Sequence, residues 1–307
     1  MTFVNALVQG ILLGGLFALF ACGLSLMFGV MEVINLAHGD VAVAAVYLAV
    51  VLIPATHVPA IWIFVLVVPV FMVGGYVLQR LLFQQALGSG PITTLLVSFG
   101  LSVVLENVLL EVFTANSQSL NIGSLVSGSV QVSNQVYLPY LSLIILGTAV
   151  VALVVVQVFL ARTRTGRMVR AVADDREAAQ LVGASYRHLF GVAAALAFGT
   201  VALAGLALGM YTSVAPSAGP SYLLYGFAAV VIGGLGSLWG TLLGGIILGV
   251  ASTVGSLVDP DFGAMLPYLV FLAVLAVRPH GLFPKKVLSL AQAFYPSRLA
   301  RDAHRHR

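Results

Sequence analysis

LFGVAAALAFGTVALAGLALGMYTSVAPSAGPSYLLYGFAAVVIGGLGSLWGTLLGGIILGVASTVGSLV, residues 189–258, contains no Asp, Glu, Lys or Arg. A membrane-crossing helix needs about 20 apolar residues, so this stretch holds more than one crossing. The charge-free runs Val41–Gln79 and Val112–Ala161 read the same way. Across the chain, 60% of residues are apolar and 8% charged, with a mean hydropathy of +1.08. Soluble domains carry roughly 25% charged residues, and no long polar stretch here could fold as one. The chain is therefore an all-α integral membrane protein, a polytopic bundle of about eight spans forming a single transmembrane domain over residues 1–307.

The N-terminus, MTFVNALVQG, lacks the basic region of a cleavable signal, so the first apolar segment is expected to be a retained span. Cys22 is the one cysteine, which excludes an intramolecular disulfide. A net charge of +4 and a pI near 9.4 do not point to nucleic acid, because the basic residues sit at the edges of apolar segments and report orientation.

The expected spans are Phe3–Val30, Val41–Ile53, Ala60–Gln79, Ile92–Phe113, Tyr137–Leu160, Leu189–Tyr211, a glycine-interrupted tract over Ser221–Val258, and Ala264–Val277, with turns at 54–59 and 216–220. The polar, uncharged stretch 114–136 suits a small extramembrane hairpin. As one helix, 223–257 would extend about 52 Å against a hydrocarbon core of about 30 Å, so the tract must break or fold back. Arg80, the loop 161–188 and the basic tail 278–307 belong on the cytoplasmic side by the positive-inside rule. That places Asp259, Asp261 and the N-terminus outside, and makes the broken tract enter and leave on the outer side.

Pairs of glycines four apart occur at Gly10 and Gly14, Gly205 and Gly209, Gly240 and Gly244, and Gly245 and Gly249. Such pairs let helix backbones approach closely in lipid, either inside one chain or between subunits.

Two places carry more than packing. In FGVMEVINLAHGD, 28–40, the polar residues Glu32, Asn35, His38 and Asp40 interrupt an apolar sequence beside Gly39. A charge at membrane depth costs about 2.5–3.5 kcal/mol on insertion scales, so a set of this kind lines a cavity between broken helices or else forms a cytoplasmic turn capped by Asn35 and His38. GGLGSLWG, 233–240, has the same character. Together these give a candidate path set of Glu32, Asn35, His38, Gly39, Asp40, Gly233, Gly234, Gly236 and Ser237, expected near mid-membrane as discontinuous elements of two halves. The second place is RTRTGRMVRAVADDREAAQLVGASYRHLFG, 162–191, where Arg167–Leu181 is helix-forming throughout and Gly183 supplies a stop. It reads as a short amphipathic helix for a partner's groove or as a solvated basic loop.

Four ordered motifs, FGVMEVINLAHGD, RTRTGRMVRAVADDREAAQLVG, FAAVVIGGLGSLWGTLLGG and RPHGLF, resemble the permease subunits of branched-chain amino acid type ABC importers, over essentially the whole chain. The likeness is to the shorter of the two permease types. EAAQLVG, 177–183, matches the EAAxxxG core through which such permeases contact their ATPases. The resemblance implies a coupling set of Gly166, Arg167, Arg170, Asp174, Glu177, Ala178, Ala179, Leu181 and Gly183. It also implies a second homologous permease, two ATPase subunits that use ATP and Mg, a periplasmic or lipid-anchored solute-binding protein, and a bacterial inner-membrane location with a cytoplasmic C-terminus. One departure is the link RLLFQQALGSGP, where relatives are more basic and this chain has Arg80 alone.

The residues agree with that division of labour. There is no GxxxxGK[ST] phosphate loop, no nucleophile and base pair and no metal set, so no catalytic residue and no bound cofactor are expected, and membrane lipid is the other partner. An ion-coupled secondary transporter or a passive channel subunit is the alternative. The first would draw on Glu106 and Asn107, which read rather as a helix–helix hydrogen bond near the outer end of the span; the second would not need the EAA loop.

Overall fold

A computed structural model describes residues 3–56, 60–120, 128–133, 136–181, 183–279 and 281–283. Its long helices are α1 (Phe3–Met31), α2 (His38–Thr56), α3 (Ala60–Leu78), α4 (Pro91–Phe113), α5 (Tyr140–Arg162), α8 (Tyr186–Tyr211), α10 (Leu238–Val258) and α11 (Pro260–Val277). All eight are long and apolar enough to cross a membrane. α3 runs on through a π-helical turn, Gln79–Phe83, to Leu87. Between α5 and α8 lie two short helices, α6 (Arg164–Asp174) and α7 (Arg176–Leu181), and α9 (Gly219–Gly233) precedes α10.

Following the chain through the bundle gives two ends. One carries the antiparallel hairpin of β1 (Ser129–Ser133) and β2 (Val136–Pro139). The other gathers Arg80, Arg162, Arg164, Arg167, Arg170, Arg176, Arg187 and Arg278 at helix ends and in the α5–α8 connection. The hairpin overlaps only the end of the polar stretch 114–136 and takes in Tyr137, where a span was expected to begin; 121–127 and 134–135 lie outside the described residues, as do 57–59 of the expected turn and the tail from 284.

Backbone-to-backbone glycine contacts tie the bundle together. Gly10 and Gly14 of α1 face Val250 and Ile246, while Gly245 and Gly249 of α10 face Gly14, Ala18 and Gly10, so that a Cβ on any of them would overlap the opposite helix. Gly205 lies on the carbonyl of Ala42, Gly209 on Val46 and Leu120, and Gly240 and Gly244 on Gly233 and Ala229. All four glycine pairs thus serve contacts inside this chain. With lipid as solvent there is no hydrophobic drive between helices, and close van der Waals approach takes its place.

The helix bounds correct several expectations. α2 begins at His38, three residues before Val41, and continues past Pro54, because the polar residues 38–40 form its first turn instead of a linker. α3 does not stop at Arg80. The loop 161–188 holds two helices separated at Asp175 (φ −151°, ψ 106°), so Arg167–Leu181 is not one helix. Broken as required, the tract 219–258 divides into the 15-residue α9 and the 21-residue α10 at residues 234–237.

Candidate functional site

Two sites emerge, one at the middle of the bundle and one at its basic end. α1 ends at Glu32, whose φ of 55° turns the chain back. Glu32 itself is exposed, whereas Asn35, His38, Gly39 and Asp40 are buried. The Asn35 side chain accepts from the Ala37 amide at 3.1 Å, and its backbone carbonyl accepts from the His38 amide at 3.3 Å, which starts α2. His38 Nε2 lies 3.1 Å from the Phe20 carbonyl. Since a carbonyl only accepts, Nε2 carries a proton, and Nδ1 has no hydrogen-bond partner among the described residues.

Phe20 lies well inside the 29-residue α1, and Ser102, whose hydroxyl donates to Asp40, is midway along α4. The first turn of α2 is therefore at the middle of the bundle. Gly219, the first residue of α9, meets it there: a Cβ on Gly39 would overlap the Gly219 carbonyl, and one on Gly219 would overlap Asp40. The amino ends of two helices thus converge on one carboxylate. Each such end carries about half a positive charge from its unpaired amides, which gives a physical reason for an acidic residue at this depth. Asp40 Oδ1 has no hydrogen-bond partner among the described residues.

Gly233, Gly234, Gly236 and Ser237 do not join this junction. Gly236 lies against Gly29, near the end of α1, and Ser237 caps α10 by accepting from the Gly240 amide at 3.2 Å. The mid-bundle pairing expected for Asn35 and His38 with 233–237 is replaced by a pairing with Gly219, because the break after α9 comes one half-helix too late. The ending RPHGLF closes that break instead. The amides of Leu282 and Phe283 donate to the carbonyls of Ile232 and Gly233 at 2.9 and 3.2 Å, satisfying the orphan acceptors at the end of α9.

At the basic end, Thr163 caps α6 through the Gly166 amide at 2.9 Å, and Gly166 is pressed on the backbone of Phe159 and Leu160. Val169 and Val172 hold α6 to the bundle, leaving Met168 exposed. The Asp175 carboxylate caps α7 by accepting from the Ala178 amide at 2.9 Å. α7 ends at Gly183, at φ +86°, with Ala184 N donating to the Ala179 carbonyl at 3.0 Å. Glu177, Ala178 and Leu181 are exposed, Leu181 at 89%. Ala179, a member of the coupling set, is only 5% exposed and packs inward. Arg167 donates to the Arg162 carbonyl at 2.9 Å, and Asp174 is exposed. Arg176, which the sequence did not single out, stacks over Tyr186 at 4.2 Å and anchors α7 to α8.

Sequence reasoning missed Ser102, Gly219 and Arg176. Nothing in SFGLS marks Ser102, and PSAGP, 216–220, read as a turn although Gly219 also opens a helix. The Asn107 side chain donates to Val103 of its own helix at 2.7 Å and not to a neighbouring helix.

Residues 6–275 match the family described as branched-chain amino acid transport system, permease component. The high-affinity branched-chain amino acid transport system permease protein BraD of Pseudomonas aeruginosa is 27% identical over 297 residues, covering 91% of this chain and 95% of that one. The corresponding protein LivH of Escherichia coli is 26% identical over 294 residues with the same coverage. The fructose import permease protein FrcC of Rhizobium meliloti is 38% identical over 125 residues, 38% of this chain and 35% of that one. No solved structure matches the chain. These matches favour a transport subunit of an ABC importer over the secondary-transporter and channel alternatives. With eight apolar helices among its described residues and a family match across nearly its whole length, this multi-pass membrane protein belongs to the permease components of branched-chain amino acid transport systems.

Proposed function

We propose that this chain is one of two homologous permease subunits of a bacterial importer for branched-chain amino acids or related small solutes. It sits in the inner membrane with its basic end and C-terminus in the cytoplasm, a reading supported by the arginines gathered at that end under the positive-inside rule. Two partner ATPase subunits use ATP and Mg, and a periplasmic or lipid-anchored solute-binding protein delivers the solute to the hairpin end. The observation that carries this reading is α7. It is a capped, glycine-terminated turn of helix anchored on the basic end, with Leu181 89% exposed and Ala178 also exposed. An apolar tip at the end of a basic face suits a partner's groove.

On this reading α6 and α7 receive the ATPase movement and pass it through Gly166, Val169 and Val172 to α5 and α1. The solute path runs beside the junction of α2 and α9, which is closed in this conformation. Motion of the half-helix α9 against α2 opens it, a role suited to discontinuous helices. The test is ATP-dependent uptake of radiolabelled leucine into proteoliposomes holding the full assembly with its solute-binding protein. Wild-type uptake that depends on this subunit and disappears with Leu181→Asp is expected. Uptake without any ATPase would sink the reading.

A further inference from the structure

At the basic end lies a cavity of about 450 Å³, within the range of small-molecule sites. Its walls come from α1, α5, α6, the 234–237 break with the start of α10, and Phe283. It is separate from the junction of α2 and α9 and lies within one subunit.

The wall chemistry is asymmetric. Arg170 of α6 and Gln157 of α5 are wall residues, and among the described residues no carboxylate lines the cavity. Ser25 of α1, another wall residue, is 1% exposed, and its hydroxyl has no partner among the described residues. A buried hydroxyl without a partner costs about 1–3 kcal/mol, an expense that a bound acceptor would remove. Ser237 Oγ accepts from Gly240, which leaves its own O–H to donate, and it stands at the amino end of the 21-residue α10. Guanidinium, hydroxyls and helix amides all favour an anionic head. The remaining wall includes Leu26, Val30, Leu160 and Trp239 and suits a short apolar body.

We propose that this cavity binds a small carboxylate with a short apolar body, and that the bound molecule ties α6 to α1 and α10. Because α6 is also the helix assigned to coupling, occupancy from the cytoplasmic side restrains the movement that drives transport. The proposal rests on the functional reading above only for that restraint and for the choice of leucine as a probe.

The reporter is Ala173→Cys on the α6 wall, since Cys22 is the one native cysteine and is buried. The full assembly, any cysteines of its partners replaced, is placed in nanodiscs of phosphatidylcholine, and maleimide labelling of position 173 is timed. Leucine and 4-methylpentanoate should each slow labelling at least tenfold, whereas 3-methylbutylamine, which has no carboxylate, should leave it unchanged. Arg170→Ala should remove most of the protection. Filling the space with Leu26→Trp should slow labelling with no ligand present. Equal protection by the amine, or none from the carboxylates at 10 mM, roughly the weak end of binding, overturns the site. Protection that appears only when phosphatidylglycerol is added to the nanodisc also overturns it, in favour of a lipid headgroup. ATP-driven leucine uptake by the wild-type assembly is read separately, so failure of the permease reading and failure of this cavity are told apart.

Discussion

Gly39 of α2 lies directly on the carbonyl oxygen of Gly219 at the start of α9, so neither position has room for a methyl group. At Gly39 the added carbon would meet only backbone, so no flexible side chain can yield. Gly39→Ala should therefore cost about 1–3 kcal/mol by overpacking, lowering the unfolding temperature of the detergent-solubilised subunit. Gly74→Ala on α3 has nothing within 4 Å and should be neutral or slightly stabilising. Equal melting of the two variants would remove the claim of a tight crossing.

Asp40 and Ser102 form a pair whose loss should be non-additive. Ser102→Ala leaves a buried carboxylate oxygen unpaired, at a cost of about 1–3 kcal/mol, whereas in an Asp40→Asn background the same change should cost less. A double-mutant cycle on denaturant unfolding should return a coupling of at least about 0.5 kcal/mol. Additive effects would mean the hydrogen bond contributes nothing.

At the basic end, strain and contact can be separated. Gly183 has open space around it but a φ of +86°, so Gly183→Val should cost about 1–2 kcal/mol locally from the left-handed backbone. It should loosen α7 and abolish solute-stimulated ATP hydrolysis while membrane insertion persists. Leu181→Asp changes an exposed tip, so stability should stay within about 0.5 kcal/mol and co-purification of the ATPase should fall. Ala179→Trp should also uncouple, by lifting α7 off the bundle. Normal ATPase co-purification and transport in Gly183→Val and Leu181→Asp together would rule α7 out as the coupling element.

The RPHGLF ending makes a prediction about chain length. A chain ending at Arg278 lacks the Leu282 and Phe283 amides that satisfy Ile232 and Gly233, and should melt lower than one ending at Phe283. Protease resistance of the 234–237 break in the two truncations measures the difference directly.

Spans were legible because charge-free runs exceed the length one helix can use, and the glycine pairs were legible because close approach in lipid demands small residues. Depth was not. For His38, Gly39 and Asp40 the sequence left two depths open, a cavity at mid-membrane or a cytoplasmic turn, and the chain after Glu32 folds back so that they open a helix at the middle of the bundle. In the same way Gly219 read as part of a surface turn, and 233–237 read as the mid-membrane partner that Gly219 is. Local composition marks where a helix breaks. How far the connection climbs before the next helix starts depends on Phe20, Ser102 and Gly205, residues distant in sequence with no polar pattern to announce them.

The seam of glycines joining α1 to α10 has a consequence for synthesis. Among the described residues, the atoms nearest to Gly10 and Gly14 belong to Gly245, Ile246, Val250 and Thr253 of α10. At about 5–20 residues per second, the first helix waits on the order of ten seconds or longer before the surface it was shaped for leaves the ribosome. During that interval its bare small-residue face lies in the bilayer, open to any other helix with a matching groove. The first helix of a neighbouring nascent copy carries the same face, so an unbalanced supply of this subunit should reveal itself as α1-mediated homodimers of incomplete chains, detectable by cross-linking of stalled ribosome complexes.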